Sequence, residues 1–388
     1  MTSKQPVNKK NIVITLNSPF TKDIYLRIGI EKLKSFYHIT LLDCLDYLNQ
    51  DFNSKSSYKK YIDPDIDVIS IKNLLQCKAL LLEKKPIFLL DCIGKSDVTP
   101  LFQALCLNQQ ITYVYDGLVN TLSGSSKDLF IGMLSMLPEF ISKTVATLTC
   151  KLLYIDYIRP DTVLTGSSFG TLWERSAKNR IFSAGHSFFE VNKSIKNYAE
   201  YPRIVDGDFI LFLDDCLIDS FDFSLGHQKS SLGSKDYFNL MNLFFGKLEK
   251  QFKLPVVIAA HPNGMEHKNY EEKFGNRKVI FNKTSLLSRD CSLAITHHSL
   301  SVHYPILFLK PILFLNLDSL PHHVKKLQNA YSQALNASCV NVTRGTINKA
   351  LNDFYIDQKK YNKFTRKYIH ASAKVLTDPY DPLIKYFK

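Results

Sequence analysis

Short apolar runs of strand length alternate with segments of helical period along nearly the whole of this 388-residue chain, and that alternation restricts its fold more than any other feature. Asn11–Leu16, His38–Leu42, Pro86–Leu90, Ile111–Tyr115 and Thr162–Leu164 read as strands, with a further short one near Arg180–Ser183. Thr21–Phe36, Thr99–Leu107 and most of Leu134–Leu153 read as helices. A polar stretch, Tyr201–Asp208, carries Pro202 and Gly207, and beyond it the pattern restarts. Strands are expected at Phe209–Leu213, Val256–Ala260, Lys278–Phe281, Leu293–Ile295 and Ile312–Leu315. Helices are expected at Tyr237–Phe252, Thr284–Arg289, about Ser299–Leu309, and from Thr346 onward. Parallel strands need a crossover, usually a helix, so this order predicts an α/β protein built from βαβ units.

Two Rossmann-like domains are therefore expected, residues 1–204 and 205–345, with helices of 346–388 packing back towards the first. Composition narrows the class further. Eight cysteines (44, 77, 92, 106, 150, 216, 291 and 339) form no C-x-x-C pair and sit mostly in or beside apolar runs, which reads as buried reduced thiols. Met1–Lys10 is polar and basic, the next apolar run breaks at Asn17 and Pro19, and no run of ~18 apolar residues follows. A cytoplasmic protein is expected, with peripheral contact to the anionic inner face of the membrane as an option. The net charge of +13 favours an anionic partner.

Ligands of open α/β sheets bind beyond the carboxyl ends of the strands, so the residues after each strand are the candidates. His261-Pro262 follows Val256–Ala260 in VVIAAHPNG. An imidazole there can donate to a phosphate oxygen, and the proline fixes the turn that holds it; the plainer alternative is a turn histidine on a backbone carbonyl. Thr296-His297-His298-Ser299-Leu300-Ser301 follows Leu293–Ile295 and opens a helix. His298, the hydroxyls of Ser299 and Ser301 and the N–H groups of that first turn would make an anion site, a use compatible with Ser299 as N-cap. Lys283-Thr284 offers a cation and a hydroxyl after Lys278–Phe281, against an exposed lysine with an N-cap threonine.

In the first half, Asp116-Gly117 follows Ile111–Tyr115 in YVYDGLVN. The carboxylate is placed to take a proton from an acceptor hydroxyl, Gly117 permits close approach, and Asn120 would orient either group. An Asp-Gly turn is the simpler reading. Asn17-Ser18, after the first strand, would line the acceptor side. Weaker candidates are the loop Gly166–Gly170, Asp214-Asp215 at a strand end, the D-x-D spacing of Asp65-Ile66-Asp67, and His186 with Glu190.

No G-x-x-x-x-G-K-[ST] or G-x-G-x-x-G occurs, which argues against P-loop NTPases and NAD or FAD enzymes. No RNP-like motif or C₂H₂ finger is present, and basic residues are scattered, so a nucleic-acid-binding protein is the less favoured, non-enzymatic reading.

Two Rossmann-like halves facing a central cleft resemble the GT-B glycosyltransferases. The pieces FLDD (212–215), EKQFKLPVVIAAHPNG (249–264), NRKVIFNKTSLL (276–287) and HHSLSVHYPILFLKPILFLN (297–316) are similar to bacterial transferases of capsule and lipopolysaccharide synthesis. An acidic residue with Gly in the first half, then His-Pro and a serine motif in the second, resembles the CMP-sialic-acid-dependent sialyltransferases. That resemblance implies Asp116 as general base, with His261, Ser299 and Ser301 at the CMP phosphate. Tyr115 stands where the family has a first acidic residue, and Leu300 separates the two serines.

The implied activity is inverting transfer of a sialic-acid-like nonulosonate from a CMP-sugar to a hydroxyl of a surface or lipid-linked glycan. No metal or other cofactor is expected. A CMP-Kdo, UDP-sugar or GDP-sugar donor is the alternative within the fold, as is a UDP-sugar epimerase. That epimerase family carries a Gly-Gly-x-x-Glu-Glu-type stretch where this chain has His298–Ser301.

Overall fold

The computed structural model describes residues 9–17, 20–48, 61–93, 99–118, 160–168, 172–217, 233–266, 268–320, 322–343, 355–370 and 377–388. Ser18, Asn120 and the helix expected within Leu134–Leu153 lie outside the described residues. Two compact units result. Unit 1 holds the described residues of 1–120, 125–184 and 377–388, and unit 2 those of 185–376.

Unit 1 is built on seven strands: β1 (Lys10–Leu16), β2 (Tyr37–Asp43), β3 (Ile66–Ser70), β4 (Phe88–Asp91), β5 (Thr112–Gly117), β6 (Thr162–Thr165) and β7 (Asn179–Phe182). They run in the order β3-β2-β1-β4-β5-β6-β7, every pairing parallel. The central strands are buried on both faces, as parallel sheets require. Helices α1 (Lys22–Arg27), α2 (Ile30–Leu33), α3 (Leu74–Lys84) and α4 (Thr99–Asn108) connect them. The segment expected as one helix over Thr21–Phe36 is two. Gly29 takes φ +61°, which stops α1 and caps α2.

Unit 2 repeats the plan with six strands. These are β8 (Ile210–Leu213), β9 (Val256–Ala260), β10 (Val279–Phe281), β11 (Leu293–Thr296), β12 (Ile312–Asn316) and β13 (Ser338–Asn341). Their order is β10-β9-β8-β11-β12-β13, again wholly parallel. Its helices are α5 (His186–Lys196), α6 (Ser234–Phe252), α7 (Thr284–Asp290), α8 (His303–Leu307), α9 (His322–Leu335) and α10 (Gln358–Phe364). In α6, Tyr237, Phe238, Met241, Phe244, Phe245 and Leu248 recur at helical spacing and bury one face on the sheet core. Both sheets follow the doubly wound order 3-2-1-4-5-6, unit 1 adding a seventh strand at its edge. Two Rossmann-like domains in one chain are the make-up of the GT-B fold.

Segment boundaries differ from the sequence reading in two places. Helix α5 packs on α7 and α8, so the change of unit falls between Ala184 and Gly185 and not at 204. Of the C-terminal residues, α10 belongs to unit 2, while α11 (Asp381–Phe387) packs in unit 1.

Helix α11 is fastened by several residues of unit 1. Lys32 Nζ lies 2.5 Å from Asp381, and the Ser183 hydroxyl donates to the Pro379 carbonyl. Tyr380 is buried with its ring against Gly29; a Cβ there would stand 2.5 Å from that ring. Gly29→Ala combines that clash with the cost of a left-handed non-glycine residue. We expect a loss of about 2 kcal/mol or more, measured as a drop in the urea-unfolding midpoint, with less effect for Gly207→Ala, which meets no atom within 4 Å.

Candidate functional site

The carboxyl ends of β10, β9, β8 and β11 lie side by side along one edge of the second sheet. Lys283-Thr284 follows β10, His261-Pro262 follows β9, Asp214-Asp215 follows β8, and His297–Ser301 follows β11. In this strand order the switch point lies between β8 and β11. With strands ~4.8 Å apart, the ends of β9 and β11 stand roughly 10 Å from each other, near enough for side chains from both to reach one phosphate-sized group.

Asp214 and Asp215 join these ends. Asp214 is buried, and its Oδ2 accepts the backbone N–H of His261 (3.1 Å) and the hydroxyl of Tyr270 (2.7 Å). Its Oδ1 accepts the N–H of Cys216 at 3.0 Å. Asp215 faces the other neighbour: Oδ2 accepts the backbone N–H of His298 at 2.9 Å and lies 3.2 Å from that residue's Nδ1. One dipeptide at the tip of β8 thus holds the backbone of both flanking motifs. From the sequence alone Asp214-Asp215 is a weak candidate with a structural alternative. The signal for its role is two acidic residues closing an otherwise apolar strand, a costly arrangement unless both carboxylates are partnered.

Burial pushes the Asp214 carboxyl above its ordinary range, despite the donors of Tyr270, His261 and Cys216. Burial acts on Asp215 in the same sense, but the charge and hydrogen bonds of His298 outweigh it and hold Asp215 below the usual value. The pair is thereby unequal, with Asp215 the stronger acid.

His261 is partly exposed, and its Nδ1 accepts the N–H of Asn263 at 3.2 Å. In the neutral ring the proton then sits on Nε2, which can only donate. The turn Pro262–Glu266 carries Gly264, where a Cβ would meet the Tyr270 ring at 2.5 Å. Glycine lets that ring pack close against the turn while its hydroxyl reaches Asp214.

The two histidines after β11 part company. His297 is fully buried: Nδ1 donates to the Leu315 carbonyl (2.6 Å) and Nε2 accepts from the Tyr237 hydroxyl (3.1 Å). Burial lowers its pKa, so it stays a neutral core residue. His298 is the one at the sheet edge. Ser299 caps the turn after it, its Oγ accepting the Ser301 N–H at 3.3 Å while its own N–H goes to Thr296 Oγ1. The Ser299 hydroxyl proton remains able to donate. The expected helix over Ser299–Leu309 begins as a 3₁₀ turn, Leu300–Val302, and α8 has five residues, so a helix dipole adds little here.

Lys283 is exposed and itself occupies the N-cap of α7, making Thr284 the first helical residue and not the cap.

In unit 1, Asp116 is the penultimate residue of β5, paired with Leu164, and does not lie beyond the strand. Its Oδ1 accepts the Leu118 N–H at 3.0 Å; Oδ2 accepts the Tyr380 hydroxyl at 2.9 Å and faces Cys92 Sγ at 3.7 Å. Gly117 is buried in the sheet, where a Cβ would stand 3.0 Å from the Leu164 carbonyl, so its smallness serves strand pairing. Asn17 donates to the Ile93 carbonyl (3.0 Å), bridging the tips of β1 and β4. Asp65 and Asp67 face Lys34 and Lys84 at 3.6 and 3.3 Å, which gives that D-x-D lysine partners. A cavity of about 580 Å³ opens among these lysines, at the amino end of β1 and β2, on the edge opposite the strand tips. Glu190 accepts the Tyr304 hydroxyl. Among the described residues no group of three or more His, Cys, Asp or Glu could hold a metal ion, and no helix is long and apolar enough to cross a membrane.

No protein-family model matches the chain, and no curated protein matches it. Solved structures with a similar course of chain include MurG of Acinetobacter baumannii (9% identity, TM-score 0.49, 98% of this chain and 99% of that one). The wall teichoic acid polymerase TagF is another (13%, 0.49, 97% and 88%), as is a UDP-GlcNAc 2-epimerase of Methanocaldococcus jannaschii (12%, 0.47, 92% and 98%). At such identities and TM-scores the chemistry has to come from this chain's own residues.

His303, in α8, is buried against Phe364, and burial pushes its ring down to about 4. The unfolded chain takes up a proton near 6.5 that the folded chain refuses until about 4, so stability falls as pH drops through that window. Urea midpoints measured from pH 7 to 4 should fall less steeply in His303→Leu, by the equivalent of about one proton.

Proposed function

We propose that the chain is an inverting glycosyltransferase that moves a nonulosonate sugar from a CMP-activated donor to a hydroxyl of a surface glycan. The observation that carries this reading is the bracket at the switch point of the second sheet. Asp214 and Asp215 hold His261 and His298 on either side of β8, making a row of donors suited to one departing phosphate. His261 Nε2–H and the Ser299 hydroxyl would donate to the phosphate as negative charge builds on it. Lys283 and Thr284, one strand further along the same edge, would meet the remainder of the nucleotide, and Ser301 would support Ser299.

The sugar's anomeric carbon takes on oxocarbenium character as the bond to CMP lengthens, and the acceptor hydroxyl attacks from the opposite face. Asp116 is the proposed base. Tyr380 and the Leu118 N–H fix its orientation, while Oδ1, with a single donor upon it, keeps a lone pair able to take a proton. The positive net charge suits an anionic donor and an acidic or lipid-linked acceptor at the inner membrane surface.

Calorimetric titration with CMP, UDP and GDP, beside a screen for CMP released from CMP-sugars, tests the assignment. CMP should bind best. His261→Ala should weaken CMP about ten-fold, through loss of one hydrogen bond to a charged group. Asp116→Asn should keep CMP affinity within about two-fold and lower transfer by ~10²–10⁴-fold. Equal CMP affinity in wild type and His261→Ala would reject the phosphate assignment; preference for UDP or GDP would move the donor to another class.

A further inference from the structure

Asp215 is 9% exposed, and its Oδ1 has no partner among the described residues. A buried carboxylate in that state requires a counter-charge close by. Most of the titratable groups around it cannot supply one. Asp214, its neighbour at the tip of β8, is acidic and itself buried, so it can lose charge but cannot act as a cation. His297, on β11, has both ring nitrogens committed: one donates to the Leu315 carbonyl and the other accepts from Tyr237. His261, after β9, uses Nδ1 to accept the Asn263 N–H, a bond that exists only with that nitrogen unprotonated. Tyr270, packed beneath the His261 turn, gives its hydroxyl to Asp214, and Tyr331 of α9 is buried and uncharged. Among the described residues His298 remains. Its backbone N–H is tied to Asp215 Oδ2 at 2.9 Å, and its Nδ1 lies 3.2 Å from the same oxygen.

We infer that Asp215 is a positioning residue that keeps the His298 imidazole protonated at neutral pH and aims it at the bound anion, so that this single proton governs how tightly the site holds a phosphate. The inference rests on the anion-site reading above and deepens it. Neighbouring His261 and Ser299 offer hydrogen-bond donors, and His298 brings a cation to the switch point beside β8, whereas Lys283 follows β10 at the far end of the row. The charge on Asp215 is thereby offset by the imidazolium. When an anion enters, the imidazolium is shared between two negative groups and becomes harder to deprotonate.

The decisive measurement is a pH titration of the histidine ring resonances in the intact, ligand-free protein, with His298 assigned through His298→Gln. The His298 ring should stay protonated at least one pH unit above a free imidazole's ~6.5 in wild type. It should fall back towards that value in Asp215→Asn. Calorimetry with CMP at pH 6.0 and 8.5 should then show about ten-fold weaker binding at the higher pH in wild type, with that dependence lost in His298→Gln. A His298 ring titrating at or below 6.5 in wild type overturns the inference, and that result needs no variant to fold. CMP affinity that ignores the protonation of His298 overturns it as well. If no nucleotide binds at either pH while the ring is held charged, the donor reading fails and the Asp215–His298 pairing stands on its own measurement.

Discussion

Two buried carboxylates at the tip of one central strand are the constraint on which the carboxyl edge of the second unit's sheet depends. A parallel sheet brings several loop starts to one border, but it does not say where their backbones stop. Here Asp214 fixes the start of the loop after β9, and Asp215 fixes the start of the loop after β11. Removing Asp214 would take away the acceptor shared by three donors: the N–H groups of His261 and Cys216 and the hydroxyl of Tyr270. A buried donor that loses its acceptor costs ~1–3 kcal/mol, a sizeable share of a domain's net stability. The same dipeptide therefore serves folding and site geometry at once.

Aspartate closing a strand recurs through the molecule. Asp43, Asp91, Asp116 and Asp214 each accept the N–H of the residue two places on, at 3.1, 2.9, 3.0 and 3.0 Å. The carboxylate stands in for the next strand's carbonyl and turns the chain out of the sheet. In Asp91, Asp116 and Asp214 the second oxygen accepts a tyrosine hydroxyl as well, from Tyr113, Tyr380 and Tyr270.

The α/β plan was readable because central parallel strands are apolar throughout; VVIAA at 256–260 has the bounds read from the sequence. What escaped lies mostly at sheet edges. β3 and β13 are outer strands, short and partly exposed, so IDVIS and SCVN lack a buried run. Helix α9 hides behind charge, its buried Val324, Gln328, Tyr331 and Leu335 separated by lysines and polar residues. Gly29 split a segment whose apolar period ran on unbroken, since periodicity is blind to one left-handed residue. At the site, strand-end position singled out His261 and His298, yet nothing in the dipeptide His297-His298 announced that the first ring would be core. The partners of both rings come from elements far away in the chain, and pairings of that kind are invisible to local pattern.

Tyr380 and α11 lie in the first unit although the entire second unit separates them from it along the chain. A nascent chain emerging from the ribosome would have all seven strands of the first sheet available long before the piece that caps them. Until then the groove beside Gly29 and the side of Asp116 that Tyr380 covers stay open to water. The later-made unit can finish its own core first, and the earlier-made one is completed last, reversing the usual order of synthesis and maturation.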